Sequence, residues 1–119
     1  MKKMDEKNDW RSICPISSAL DVIGDKWSLL IIRDLIIHEA LTYSQFLESP
    51  EQISTNILAT RLDLLTQLKL IERVHPELAS RNNAYKLTKS GKALEPVIKS
   101  LGKWAGKYLS EYHSKIVRL

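Results

Sequence analysis

The sequence is short of several things that would each have settled its class. It has one cysteine, Cys14, in 119 residues, so no internal disulfide framework is available. It has no uninterrupted apolar run of the roughly 20 residues a membrane-spanning helix requires. The best candidate, "WSLLIIRDLII", is broken by Arg33 and Asp34. The opening "MKKMDEKNDWRS" is charged throughout and lacks the apolar stretch of a secretion signal, so a cytoplasmic location is expected. His38, His75 and His113 are scattered, with no metal-ligand spacing and no nucleophile set beside a base. There is no phosphate-cradling glycine loop and no dinucleotide fingerprint. These absences argue against an enzyme, and no catalytic residue, metal or cofactor is expected. There is also no internal repeat and no Gly/Ser-rich linker, which leaves one domain with a single core.

What is present is a segregated charge. The net charge is +4, yet residues 15–68 hold three basic and seven acidic side chains, while residues 69–103 hold eight basic and three acidic. A basic excess confined to one segment suits a polyanion partner, although a solvated lysine-rich face has the same composition.

The pattern of elements narrows the field. Residues 1–12 read as a flexible polar arm and 13–119 as the folded domain. "CPISSALDVIG" reads as a short helix, with Pro15 in its first turn and Gly24 as its stop. "DKWSLLIIRDLIIHEA" has strand-favouring isoleucines but helical length and spacing, and is read as a buried helix. "LTYSQFLESP" gives a short helix capped by Thr42 or Ser44 and closed by Pro50, and Ser54 caps a longer helix over 54–68. "LIERVHPE" and "AYKLT" read as two strands of a hairpin with its tip near Ser80 to Asn83. From Thr88 the chain reads as helix to about Ile116, with a kink or break near Leu94 imposed by Pro96. Short helix, turn, longer helix and hairpin make a mainly α winged helix-turn-helix.

The 54–68 helix is two-faced. Leu58, Leu62, Leu65 and Leu68 share one arc, and Thr55, Asn56, Ala59, Thr60, Asp63, Thr66 and Gln67 share the other. Amides, hydroxyls and small residues suit a helix lying in the DNA major groove, where they reach base edges and allow close approach. The N-terminal part of such a helix does the reading, which singles out Ser54, Thr55, Asn56, Ala59 and Thr60. An ordinary amphipathic surface helix is the competing reading. Arg61 falls inside the apolar arc, where it either meets a buried carboxylate or extends towards a phosphate. At the hairpin tip, Arg81 and Asn82 are candidates for the backbone or minor groove, and Lys86 for a phosphate.

Taken in order, these residues resemble a known family. Cys14-Pro15, Ala19-Leu20, Ile23-Gly24, Lys26-Trp27 and Arg33-Asp34-Leu35 resemble the opening signature of the HxlR-type transcriptional regulators. Ile53-Ser54 with Leu58 and Arg61-Leu62, then "YKLTKSGKAL" and Trp104, continue the resemblance over about residues 12–106. It implies a MarR-like winged helix homodimer that binds double-stranded operator DNA as a bacterial transcription regulator. It also implies, for some members, a response to electrophiles or oxidants through the cysteine matching Cys14. Asp63 stands where a basic residue is common and Lys69 where glycine is common.

Cys14 directly precedes Pro15 at an expected helix start, a place that raises thiol reactivity, although a lone cysteine also serves as a small apolar residue. The last helix carries Leu101, Trp104, Tyr108 and Tyr112 on a stripe longer than one small domain needs. With Leu20 these residues are the candidate dimer interface. The nature of any small-molecule or oxidant effector is left open. The alternative function is a winged helix used as a protein–protein interaction module without DNA binding.

Overall fold

The structure, a computed structural model, describes residues 10–77 and 83–118. The chain runs α1 (Pro15–Ile23), α2 (Ser28–His38), β1 (Ala40–Thr42), α3 (Tyr43–Phe46), α4 (Thr55–Gln67), β2 (Ile71–Arg73), β3 (Ala84–Leu87), α5 (Lys89–Lys92) and α6 (Glu95–Tyr108). Ile31, Ile32, Leu35, Phe46, Leu58, Leu62, Leu65, Ile71 and Leu87 form one buried cluster drawn from α2, α3, α4 and the sheet. Each such side chain contributes about 1.5–3 kcal/mol on burial, and the cluster fixes α4 against α2.

Local chemistry explains most element ends. Asp25 starts α2: its carboxylate accepts from the backbone N–H groups of Trp27 and Ser28, both at 3.0 Å, and from the Ser28 hydroxyl at 2.6 Å. Trp27 therefore stands just outside the helix in which the sequence reading put it. Thr42 caps α3 in a reciprocal box, accepting from Gln45 N–H while the Gln45 side chain accepts from Thr42 N–H. Ser54 caps α4 by accepting from Ile57 N–H at 3.3 Å.

The sheet has one strand more than the hairpin expected from the sequence. Its order is β1-β3-β2, antiparallel, with Leu41 opposite Tyr85 and Arg73 opposite Tyr85 on the other side. The sequence reading ran the second helix through Ala40. The helix instead ends at His38, Glu39 takes φ 66°, and the redirected chain pairs with β3. Three residues are too few to show an alternating pattern, and their pairing satisfies backbone groups that β3 would otherwise leave open.

The final helix is two helices. Pro96 sits in the first turn of α6, where its missing N–H costs nothing, and the break falls at Ala93–Leu94 as proline required. Upstream, Thr88 caps α5 and Gly91 packs against the chain leaving α4. A Cβ on Gly91 would stand 2.1 Å from the Leu70 carbonyl oxygen. Helix α6 stops at Tyr108, short of the expected Ile116. The chain beyond it turns back, so that Gly106 is buried beneath Val117 and Arg118.

The expected polar arm is described from Trp10 onward. There Arg11 meets Asp21 through its backbone N–H at 3.2 Å and through its guanidinium.

Candidate nucleic-acid interface

The buried face of α4 decides what its other face can do. Leu58, Leu62 and Leu65 are fully buried, which turns Thr55, Asn56, Ala59, Thr60, Asp63 and Gln67 to solvent. Four of the five residues expected to read bases, Thr55, Asn56, Ala59 and Thr60, thus share one exposed surface at the helix start. The fifth, Ser54, has its hydroxyl engaged as the cap. Thr60 donates its hydroxyl proton to the Asn56 carbonyl at 3.0 Å, so it presents an oxygen acceptor and a methyl group outward. Asp63 accepts from the Gln67 amide at 3.2 Å, one turn further from the helix start.

Arg61 resolves towards structure. It stands 3.6 Å from Asp25, joining α4 to the start of α2. Burial pulls the Asp25 carboxyl upward, but the Ser28 hydroxyl, the N–H groups of Trp27 and Ser28 and the charge of Arg61 together hold it below its ordinary value.

Two groups position the helix start and were not singled out from the sequence. The Tyr43 hydroxyl donates to the Thr55 carbonyl at 2.8 Å, pinning the first turn of α4 to α3. Arg33, half-buried on α2, reaches the turn between α3 and α4. Its two terminal nitrogens donate to Glu51 at 2.9 and 2.8 Å, one of them also reaches Ser49 at 3.2 Å, and its Nε donates to Asp34 at 2.9 Å. The Arg33 hydrogen bonds, followed by that from Ser49, hold the Glu51 carboxyl at about 2. The sequence shows Arg33 as a charge inside an apolar run that must find a partner, and does not say which.

In the wing, Asn83 is buried. Its amide donates to the His75 carbonyl at 2.5 Å and its carbonyl accepts from His75 N–H at 3.1 Å. The residue read as part of the turn at the tip is instead a side-chain bridge across the two arms of the wing, continuing the ladder beyond Val74 N–H to Ala84 C=O at 2.8 Å. Arg81 and Asn82 lie outside the described residues. Lys86 is exposed on the middle strand and stands 3.6 Å from Glu72 on β2, which offsets the charge it would bring to a phosphate.

Away from α4, the candidate interface side chains are uncovered. Leu20 on α1 is 54% exposed, and Leu101, Trp104 and Tyr108 on α6 are 49%, 55% and 56% exposed. Tyr112, in the chain beyond α6, is also exposed. Cys14, the residue before α1, is an exposed free thiol.

A helix-turn-helix whose second helix shows a polar outer face, followed by a hairpin and a helix leading away, defines a winged helix DNA-binding protein. The chain belongs to the HxlR-like helix-turn-helix family, whose model matches residues 22–113. It is 34% identical to the HTH-type transcriptional regulator sll1512 of Synechocystis sp., over 83% of this chain and 73% of that one. It is 32% identical to the HTH-type transcriptional regulator YodB of Bacillus subtilis, over 82% and 87%. Among solved structures, PA1607 superposes with a TM-score of 0.76 at 35% identity, over 92% of this chain and 75% of that one. The reduced form of YodB gives 0.67 at 30% identity, over 84% and 98%, and a quinone-bound form is also known. The chain is accordingly a helix-turn-helix transcriptional regulator with DNA as its partner, and not an enzyme. No helix among the described residues is long and apolar enough to cross a membrane.

Proposed function

We propose that this regulator binds operator DNA as a two-fold homodimer, with the N-terminal half of α4 in the major groove. The observation that carries the reading is the outer surface of α4, where Thr55, Asn56, Ala59 and Thr60 are all exposed and none is acidic. Asn56 is the group best suited to paired hydrogen bonds with a base edge. The dimer rests on the uncovered apolar side chains of α1 and α6. Leu20, Leu101, Trp104 and Tyr108 are large, exposed and remote from the α4 surface in the sequence, and a second copy is the partner that would cover them. Two-fold symmetry then presents two α4 helices to successive major grooves about 34 Å apart. Arg81 and Asn82, which the sequence assigns to the hairpin tip, are the proposed backbone or minor-groove contacts, and Lys86 is the weaker phosphate candidate because Glu72 is beside it.

Cys14 is the proposed point of regulation by an oxidant or electrophile. Its thiol is exposed one residue before α1, the helix that carries Leu20, and a quinone-bound form exists for the relative YodB. A cytoplasmic location follows from this function.

Selection of bound sequences from random duplex DNA with the full chain tests the reading. The expected product is a pseudo-palindromic site with half-sites one helical turn apart. Recovery of no enriched sequence, or of a single unpaired half-site bound by a monomer, would overturn it.

A further inference from the structure

We propose that Arg33 is a positioning residue for operator recognition: it sets the pose of α4 by clamping the turn that precedes it. The inference rests on the reading of α4 as the base-contacting helix.

The turn from Leu47 to Ser54 carries the chain from α3 to α4. Its backbone closes through Gln52 N–H to the Ser49 carbonyl at 3.0 Å and forces Gln52 to φ 57°. A non-glycine residue at positive φ is strained, and such residues persist only where the surroundings over-determine them. Here the surroundings are Arg33. Its fork holds Glu51 by two short bonds and reaches Ser49, and the Ser49 hydroxyl itself donates to Glu51 at 2.9 Å. Ser49, on one side of the closure, and Glu51, adjoining Gln52 on the other, are therefore tied to a single guanidinium on α2. Asp34 anchors that guanidinium from behind at 2.8 Å.

Two alternative roles fit less well. A direct phosphate contact is disfavoured, because the Arg33 donors already face two carboxylates and a hydroxyl. A purely stabilising role is also poorly matched. Side chains as exposed as Arg33 and Glu51 contribute about 0–1 kcal/mol as an ion pair, while the buried Phe46, Ile53 and Leu58 already hold the turn's flanks in the core. What the clamp adds is selection of one turn geometry, and with it the height and angle at which Thr55 and Asn56 meet a base.

The test uses the full chain with its selected operator and a non-operator duplex, over a range of salt. Arg33→Met keeps the stem and removes the fork. Glu51→Gln keeps the shape and removes the charge, at an exposed site that tolerates it. Each should lower the ratio of operator to non-operator affinity by about two- to fivefold, the most that a partly exposed ion pair can supply by selecting one pose. Non-operator affinity and the salt slope should not move, and the double variant should be no worse than either single one.

A salt slope that falls by about 0.9 per subunit in Arg33→Met alone would show a phosphate contact instead. A lower melting temperature with an unchanged affinity ratio would show a stabilising role only. Asn56→Ala is measured alongside. If it changes base preference while the Arg33 and Glu51 variants do not, the clamp fails alone. If it changes nothing, the reading of α4 fails and the clamp with it.

Discussion

The turn that leads into α4 and the turn that leaves it each place a non-glycine residue at positive φ, Gln52 at 57° and Lys69 at 60°, yet different chemistry holds them. The first is held by charge, through Arg33, Glu51 and Asp34. The second is held by neutral groups and close packing. Leu70 N–H bonds to the Leu65 carbonyl and Lys69 N–H to the Thr66 carbonyl, the paired bonds of a Schellman ending. The Lys69 carbonyl then accepts from the Thr88 hydroxyl at 2.6 Å and the Ser90 hydroxyl at 3.0 Å, and Gly91 lets α5 close onto Leu70. A screened, partly exposed clamp stands at the end proposed to meet DNA, and an uncharged lock stands at the end that joins α4 to the wing.

The largest effect expected from this contrast is at the lock. A Cβ at Gly91 would lie 2.1 Å from a backbone oxygen, which has no flexible end to move aside. Gly91→Ala should lower the unfolding free energy by about 3 kcal/mol in urea titration. A loss below about 1 kcal/mol would mean that α5 can lift from Leu70 and that the second turn is no tighter than the first.

Next are the two strained residues. Glycine removes the Cβ conflict at positive φ, which is worth about 1–2 kcal/mol, but it also loosens the unfolded chain by about 0.4–1 kcal/mol. Lys69→Gly and Gln52→Gly should each gain roughly 0.5–1 kcal/mol by the difference of those terms. Equal gains would support the equivalence of the two backbone conformations. A loss at Gln52 with a gain at Lys69 would show that the first turn is not strained in the same sense. Lys69 itself adopts the backbone conformation that glycine favours.

These two turns also mark what the sequence could and could not convey. The two-faced character of 54–68 was legible because the spacing of Leu58, Leu62 and Leu65 is long enough to define a face, and the structure buries those residues. The break at Pro96 was legible because proline acts locally. Ala40–Thr42 was not legible as a strand: three residues carry no period, and their pairing partner on β3 is more than forty positions away. Asn83 looked like a turn residue because asparagine favours turns, whereas its role depends on the opposite arm of the wing. Arg33 was visible as a break in an apolar run, but its partner Glu51 lies 18 residues on, so the clamp appears only when α2 and the turn are brought together. The Arg61–Asp25 pair was half legible, since the spacing placed Arg61 among leucines but left a buried carboxylate and a phosphate both open as its partner.

The smallest expected effect separates the two turns by acid. The Glu51 carboxyl lies at about 2 in the folded chain against an ordinary value of 4.5, because Arg33 donates to its charged form. A carboxylate depressed by folding contributes stability that is fully present above the ordinary value. That stability is lost as pH falls from 4.5 through about 2. Exposure of both partners limits the contribution to about 0.5 kcal/mol after solvent screening. It is read as the difference in unfolding free energy between the parent and Glu51→Gln. The difference should be present at pH 7, shrink as pH falls towards 2, and shrink again at 1 M salt, where the screening length is about 3 Å. The corresponding difference for Thr88→Val should hold constant across the same range, because no titrating group takes part in the hydroxyl bonds at Lys69. An acid-insensitive gap at Glu51 would remove charge as the holder of the first turn.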